Sequence, residues 1–339
     1  MYYAPRDKIV LKELSANSRI TVSGLAKAAQ CSRVTALKLI GKLISQLDIR
    51  FTIEIDMEKL GLSERYLVAV RFKTRPSDEE LSRLFKDDKY VQCVLKINGK
   101  FDLLIYAVAD NAINYTKWET LTAEALSQYG ATIMPSRYVV SHFGYLPMND
   151  SFIELIGDQQ RLDRADKLML KTLNGYSRAS YGELGKMSGI SEATARYRLF
   201  RLIKKGIISR FTIAVQAPPE NYASMIYFIN YMFTKTTSSV AFSSARDSYF
   251  SDDKDSPLLN TFQLIFPISG SFRSFGMVLC ETKKIAFEKA VVRHRKIFRN
   301  ENVRILSGEV IKPIKGLLPF RNLDIRSNYK IINWHGHGM

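Results

Sequence analysis

Residues 164–215 read RADKLMLKTLNGYSRASYGELGKMSGISEATARYRLFRLIKKGIISRFTIAV. Three short amphipathic helical segments come first, and an alternating apolar pattern from Ile208 to Val215 follows. Ser180 is placed to cap a helix running to about Ser188. Gly189 supplies the permissive backbone needed just past a helix end. Ser191 then offers its hydroxyl to the first free N–H groups of the next helix. In that helix Ala195, Leu199, Leu202 and Ile203 recur at spacings of three and four, which defines a buried stripe. At about 100° per residue, Ala193, Tyr197, Arg201 and Lys204 fall roughly opposite, with Arg196 and Arg198 on the flanks. Gly206 ends the helix, and Arg210 opens the strand.

Two helices joined by a tight turn, a basic outer face on the second, and a strand behind it make a winged helix-turn-helix, a module that lays one helix in a DNA groove. The plainer alternative is a three-helix packing unit with a solvated basic face. Turn, cap and basic face coincide here, which favours the module. Base reading is expected from the N-terminal half of the helix, around Ala193, Arg196 and Tyr197, with Ser191 and Thr194 as further DNA-contact candidates. Arg196 suits a bidentate pair with guanine, and Ala193 a thymine methyl. Arg201, Lys204, Lys205 and Arg210 are expected to position the phosphate backbone, and Arg198 is a further DNA-contact candidate on the flank.

The same module occurs near the N-terminus. A shift of 159 positions puts Asp7, Lys8, Leu11, Leu14, Ser18, Arg19, Leu25, Ser32, Thr35, Ala36, Leu43 and Ile44 on identical residues of the later stretch, and Arg50-Phe51-Thr52-Ile53 matches Arg210-Phe211-Thr212-Ile213 after one gap. An internal repeat of this length sets the architecture. The first copy has Gln30-Cys31-Ser32 where the second has Gly189-Ile190-Ser191, and few charges on its outer helix face. Arg33, Thr35, Lys38, Lys42 and Arg50 are its DNA-contact candidates, and it is expected to bind more weakly or to be mainly structural.

The formal net charge is +17 over 339 residues, and it is unevenly placed. Residues 1–60 carry +4, residues 61–150 are neutral, residues 151–160 carry −2, residues 161–216 carry +8 and residues 217–339 carry +7. A polyanion contacted by particular modules fits this pattern; a uniformly basic ribosomal-type chain does not. Cys31, Cys93 and Cys280 form no CxxC pair, so neither a disulfide framework nor a zinc site is expected. The N-terminal residues lack the apolar run of a signal peptide, and no stretch nears bilayer-spanning length. A cytoplasmic protein with no membrane contact and no cofactor is the expectation.

Between the two modules, strand patterns at Tyr66–Lys73, Val91–Ile97, Phe101–Ala109 and Thr132–Phe143 alternate with helical patterns at Ser77–Lys86 and Ala112–Tyr129. Asn98-Gly99-Lys100 is a tight hairpin signal. The order is β-α-β-β-α-β, the ferredoxin-like arrangement, with one sheet face left to be covered. A second such pattern follows the second module. Its strands are Tyr222–Phe233, Thr261–Ile268, Phe272–Cys280 and Val303–Ile314, with a polar segment at 236–257 and a basic helix at Lys283–Phe298. The fold class is therefore α+β: two winged helix-turn-helix domains (1–56 and 161–216) alternating with two ferredoxin-like βαββαβ domains (62–148 and 220–320), then a tail at 321–339.

This order resembles the Lrp/AsnC (feast/famine) transcription regulators of bacteria and archaea. Asp166-Lys167…Leu170…Leu173, Gly189-Ile190-Ser191…Thr194, Gly206-Ile207-Ile208 and Gly99-Lys100-Phe101-Asp102 carry the resemblance. It implies double-stranded DNA as partner, and a small effector such as an amino acid between sheet domains, with Gly99 and Asp102 the matching positions. A hairpin needing glycine for backbone reasons is the plainer reading of Gly99. Family members usually carry one unit per chain and dimerise; two fused units imply an intrachain pseudo-dimer, which a homo-oligomer would extend. The second hairpin has Arg273 where Asp102 stands in the first. Two alternatives remain: an enzyme resembling the siroheme decarboxylases, which would draw on His142, His294, His335 or His337, and a low-specificity architectural DNA-binding protein.

Overall fold

The structure is a computed structural model and describes residues 5–138, 148, 150–157, 162–215, 223–231, 261–272, 274–280 and 303–319. It begins with α1 (Pro5–Ala16), α2 (Val22–Ala28), α3 (Arg33–Leu47) and β1 (Ile49–Ile55). Then come β2 (Glu64–Arg71), α4 (Asp78–Phe85), β3 (Val91–Gly99), β4 (Leu103–Ala109), α5 (Ala112–Ser127) and β5 (Thr132–Tyr138). After a short 3-10 helix at Asp150–Leu155 follow α6 (Arg164–Gly175), α7 (Tyr181–Ser188), α8 (Glu192–Lys204) and β6 (Ile208–Val215). The last described elements are β7 (Ala223–Tyr231), β8 (Thr261–Gly270), β9 (Ser274–Cys280), β10 (Val303–Lys315) and β11 (Leu318–Pro319). The segments 236–257 and 283–298, the tail and all four histidines lie outside the described residues.

The two three-helix units are joined through their wings. β1 and β6 pair antiparallel, with Thr52 opposite Thr212 and Phe51 opposite Ile213. The contacts around this pairing are related by a local two-fold axis. Ser18 and Ser177, which are 159 positions apart, meet at 2.6 Å between their hydroxyl oxygens. The Ser18 N–H donates to the Phe211 carbonyl at 3.1 Å, and the Ser177 N–H donates to the Phe51 carbonyl at 2.9 Å. The Arg19 guanidinium donates to the Ala179 carbonyl, and that of Arg178 to the Ile20 carbonyl. Each arginine also lies 5.2 Å from the centroid of a phenylalanine ring, Arg19 over Phe211 and Arg178 over Phe51. An antiparallel pair has its two-fold axis normal to the sheet, so both helical units stand on one face of the wing sheet.

The remaining strands close an eight-stranded barrel in the order β10-β3-β4-β2-β5-β8-β9-β7. Side chains on β2 and β4 alternate, as the pleat requires. Leu67, Ala69, Leu104, Tyr106 and Val108 join one core with Phe228, Phe275 and Met277 from the other half. Val68, Val70, Leu103, Ile105 and Ala107 pack under α4 and α5 with Leu81, Phe85, Tyr115 and Trp118. The two halves do more than cover each other's faces. Their edges hydrogen-bond at two seams, β5 with β8 and β10 with β3. Closure leaves no exposed sheet edge in the barrel.

The seams also account for Gly99 and Asp102. A β-carbon at Gly99 would lie 2.6 Å from the Ser307 carbonyl oxygen, and one at Gly270, in the other hairpin, 2.8 Å from that of Pro135. Both hairpins therefore need glycine because a neighbouring strand passes this close. Phe101 and Phe272, two residues on in each hairpin, meet edge-on at 5.7 Å inside the barrel. The strand expected from Phe101 begins at Leu103, because Asp102 turns aside. Its buried carboxylate accepts the Phe72 N–H at 2.8 Å and pairs with Arg75 Nε at 2.6 Å.

Candidate nucleic-acid interface

The turn between α7 and α8 is built from local chemistry. Ser180 and Glu183 form a reciprocal capping box at the start of α7. Gly189 ends α7 at φ +69°, and the Ser191 hydroxyl accepts the Thr194 N–H to start α8. The first copy repeats this with Ser32 and Thr35, but reaches the left-handed conformation with Gln30 at φ +48°. In both copies the serine and threonine hydroxyls also bond each other, at 2.8 Å for Ser191–Thr194 and 2.9 Å for Ser32–Thr35. The site candidates Ser191, Thr194 and Thr35 thus take part in starting their helices.

The basic residues of α8 divide into two groups. Arg196, Lys204 and Lys205 are exposed. Arg198 and Arg201 instead turn back onto α6. Arg201 Nη2 lies 2.5 Å from Asp166 Oδ2, while Arg198 Nη1 lies 3.1 Å from Asp166 Oδ1 and 2.5 Å from Asp163 Oδ2. Asp166 is fully buried at 0% exposure, so its charge requires partners, and the two arginines supply them. Arg198 in turn holds the Asp163 carboxyl below the usual carboxylate range. The first copy makes the equivalent contact between Lys42 and buried Asp7 at 2.7 Å. Arg210, on the wing, pairs with Glu54 across the sheet. Arg198, Arg201, Arg210 and Lys42 thus all make ion pairs within the protein. Arg50 is exposed on β1, opposite Ala214.

What α8 shows to solvent is partly aromatic. Glu192, Ala193, Arg196, Tyr197 and Phe200 line a shallow depression of about 560 Å³. Tyr197 is 68% exposed and Phe200 54%. The Arg196 guanidinium lies 5.9 Å from the Tyr181 ring, which braces it against α7. Phe200 escaped the sequence reading, although seven residues from Ala193 is two helical turns and puts both on one line. Ile203, expected in the buried stripe, is 39% exposed because it lies about 80° round from Ala195, at the stripe's edge. On α3 the matching surface carries Arg33, Val34, Leu37, Lys38 and Gly41, all exposed.

Residues 162–209 match the winged helix-turn-helix DNA-binding family. An HTH-type transcriptional regulator of Methanocaldococcus jannaschii is 40% identical over 74 residues, which is 22% of this chain and 49% of that one. An uncharacterized HTH-type transcriptional regulator of Pyrococcus furiosus is 44% identical over 52 residues, 15% of this chain and 35% of that one. The chain thus spans half or less of the length of these curated relatives. Over the whole fold, it is similar to the siroheme decarboxylase NirDL solved with an iron-uroporphyrin III analogue. That likeness has a TM-score of 0.55 at 16% identity and covers 93% of each chain, so it concerns fold. Among the described residues no helix is long and apolar enough to cross a membrane, and no cluster of three or more His, Cys, Asp or Glu is placed to hold a metal.

Proposed function

We propose that this protein is a sequence-specific DNA-binding transcription regulator of the Lrp/AsnC type, with two winged-helix units and two ferredoxin-like units fused in tandem. The observation that carries the reading is the exposed face of α8. On a capped helix-turn-helix, Ala193, Arg196 and Tyr197 stand toward the N-terminal end, where a recognition helix meets base edges. Lys204 and Lys205 stand at the far end, where they suit phosphates. The match over residues 162–209 and the regulators among the relatives support it. The local two-fold axis through Ser18 and Ser177 supports the tandem origin. The reading places no effector on Gly99 or Asp102, whose backbone and carboxylate are engaged by β10, Phe72 and Arg75.

The test is a fluorescence-anisotropy titration of the intact protein against genomic duplex fragments and scrambled controls across a salt series. Counterion release predicts that log K falls steeply and linearly with log salt. A large ratio between the best and scrambled duplexes supports a regulator. A steep slope without such a ratio indicates an architectural binder. The likeness to NirDL favours a decarboxylase as second reading. It would be supported by stoichiometric binding of an iron tetrapyrrole, read by absorbance, together with no DNA binding.

A further inference from the structure

The two reading helices share a frame and differ in face. Under the 159-residue relation the buried positions keep their character: Ala36 with Ala195, Ile40 with Leu199, Leu43 with Leu202. The capping residues are identical, and each unit has a buried aspartate holding a cation from its reading helix. The exposed positions do not match. Val34 corresponds to Ala193, Leu37 to Arg196, Lys38 to Tyr197 and Gly41 to Phe200, and all eight are exposed. A two-fold frame with two unlike faces presents unlike chemistry to the two halves of a duplex site.

We infer that the chain reads an asymmetric operator in one fixed orientation; this rests on the DNA-binding reading above. The α8 half-site contains a G·C pair contacted by Arg196, because a guanidinium matches the O6 and N7 acceptors of guanine. The α3 half-site differs, because Val34 and Leu37 stand where α8 has Ala193 and Arg196 and offer apolar contact, which the thymine methyl rewards in the major groove, beside the cations Arg33 and Lys38. Two-fold helix-turn-helix pairs meet half-sites spaced by one helical turn or a multiple of it, which is the spacing the selected motif should show. A dimer of identical chains favours a palindrome. Here a single chain carries both readers, so the operator has a left and a right.

The test is selection of the full-length protein on random duplexes at fixed salt, followed by the same selection with Val34→Ala, Leu37→Arg, Lys38→Tyr and Gly41→Phe combined. That variant gives α3 the α8 residues at these four positions and keeps Arg33, which corresponds to Glu192. All four positions are exposed, and a β-carbon at Gly41 meets nothing within 4 Å, so the fold accommodates them. The expected result is two unlike halves for the natural protein and an inverted repeat of the α8 half for the variant. The variant's preference between the two sites should invert by about ten- to hundredfold, the usual cost of a mismatched base pair. A palindrome selected by the natural protein overturns the inference and leaves the regulator reading intact, as does a motif with only one half. Salt-sensitive binding without any motif overturns both this inference and sequence-specific regulation, and absence of binding overturns the DNA reading as a whole.

Discussion

Arg196 and Arg201 are five residues apart on one helix and do different work. Arg196 stands on the exposed face over Tyr181, whereas Arg201 neutralises buried Asp166. Arg196→Ala is expected to weaken binding of a preferred duplex by about 1–3 kcal/mol and to leave the urea midpoint unchanged. Arg201→Ala is expected to lower unfolding stability by about 1–3 kcal/mol, below the full cost of orphaning a buried charge because Arg198 remains beside Asp166. Paired titration and urea unfolding of the two variants check this; equal stability losses would defeat the distinction. Gln30 is a second residue-scale case. It holds φ +48° where the other copy uses Gly189, and a β-carbon there costs about 1–2 kcal/mol. Gln30→Gly is expected to recover about 1 kcal/mol in a denaturant titration, and a loss of stability would contradict the strain. The substitution of glutamine in this turn was legible in the sequence; the division of labour among the arginines was not, because Asp166 acquires its need for charge only when α6 is packed against α8.

The caps give the helix-turn-helix its acid sensitivity. The Glu183 carboxyl is held below its ordinary value of 4.5, first by the Ser180 N–H, and the Asp163 carboxyl below 3.8, first by Arg198. A depressed folded pKa means that the unfolded chain binds more protons in this range. The stabilisation is then complete above these ordinary values and is lost as pH falls through and below them. Helical circular dichroism with thermal melts between pH 6 and pH 3, as an approximate span, is expected to show a falling midpoint only in the acid part. Ser180→Ala removes half the capping box and is expected to cost about 1 kcal/mol at neutral pH. At this scale the sequence was informative: serine caps, Gly189 and the buried stripe of α8 all act within a few residues. Wing pairing was beyond it, since alternation in 208–215 marks a strand without naming its partner.

The whole molecule is organised by two junctions between distant segments, the wing sheet and the barrel seams. β10 belongs to the barrel, pairing with β7 inside its own half and with β3 across the seam. Leu318 and Pro319 then carry the chain back to β6 on the wing sheet. A fragment of residues 1–160 would leave β1, β3 and β5 without these partners. It is expected to dimerise or aggregate when examined by light scattering, because unpaired edges and the face carrying Leu67, Phe101 and Leu104 would be open to water. A stable, soluble monomer would contradict the dependence of one half on the other. The sequence by itself determined the types of most described elements, the turn chemistry and the uneven placement of charge, because each follows from residue spacing and local hydrogen bonding. Tertiary structure alone decided which wing pairs with which, that the sheet edges close into a barrel, and which arginines face outward. The strand pairings join groups more than a hundred residues apart, and the arginines are sorted by aspartates some thirty residues away on α6, so none of these outcomes is a matter of local spacing.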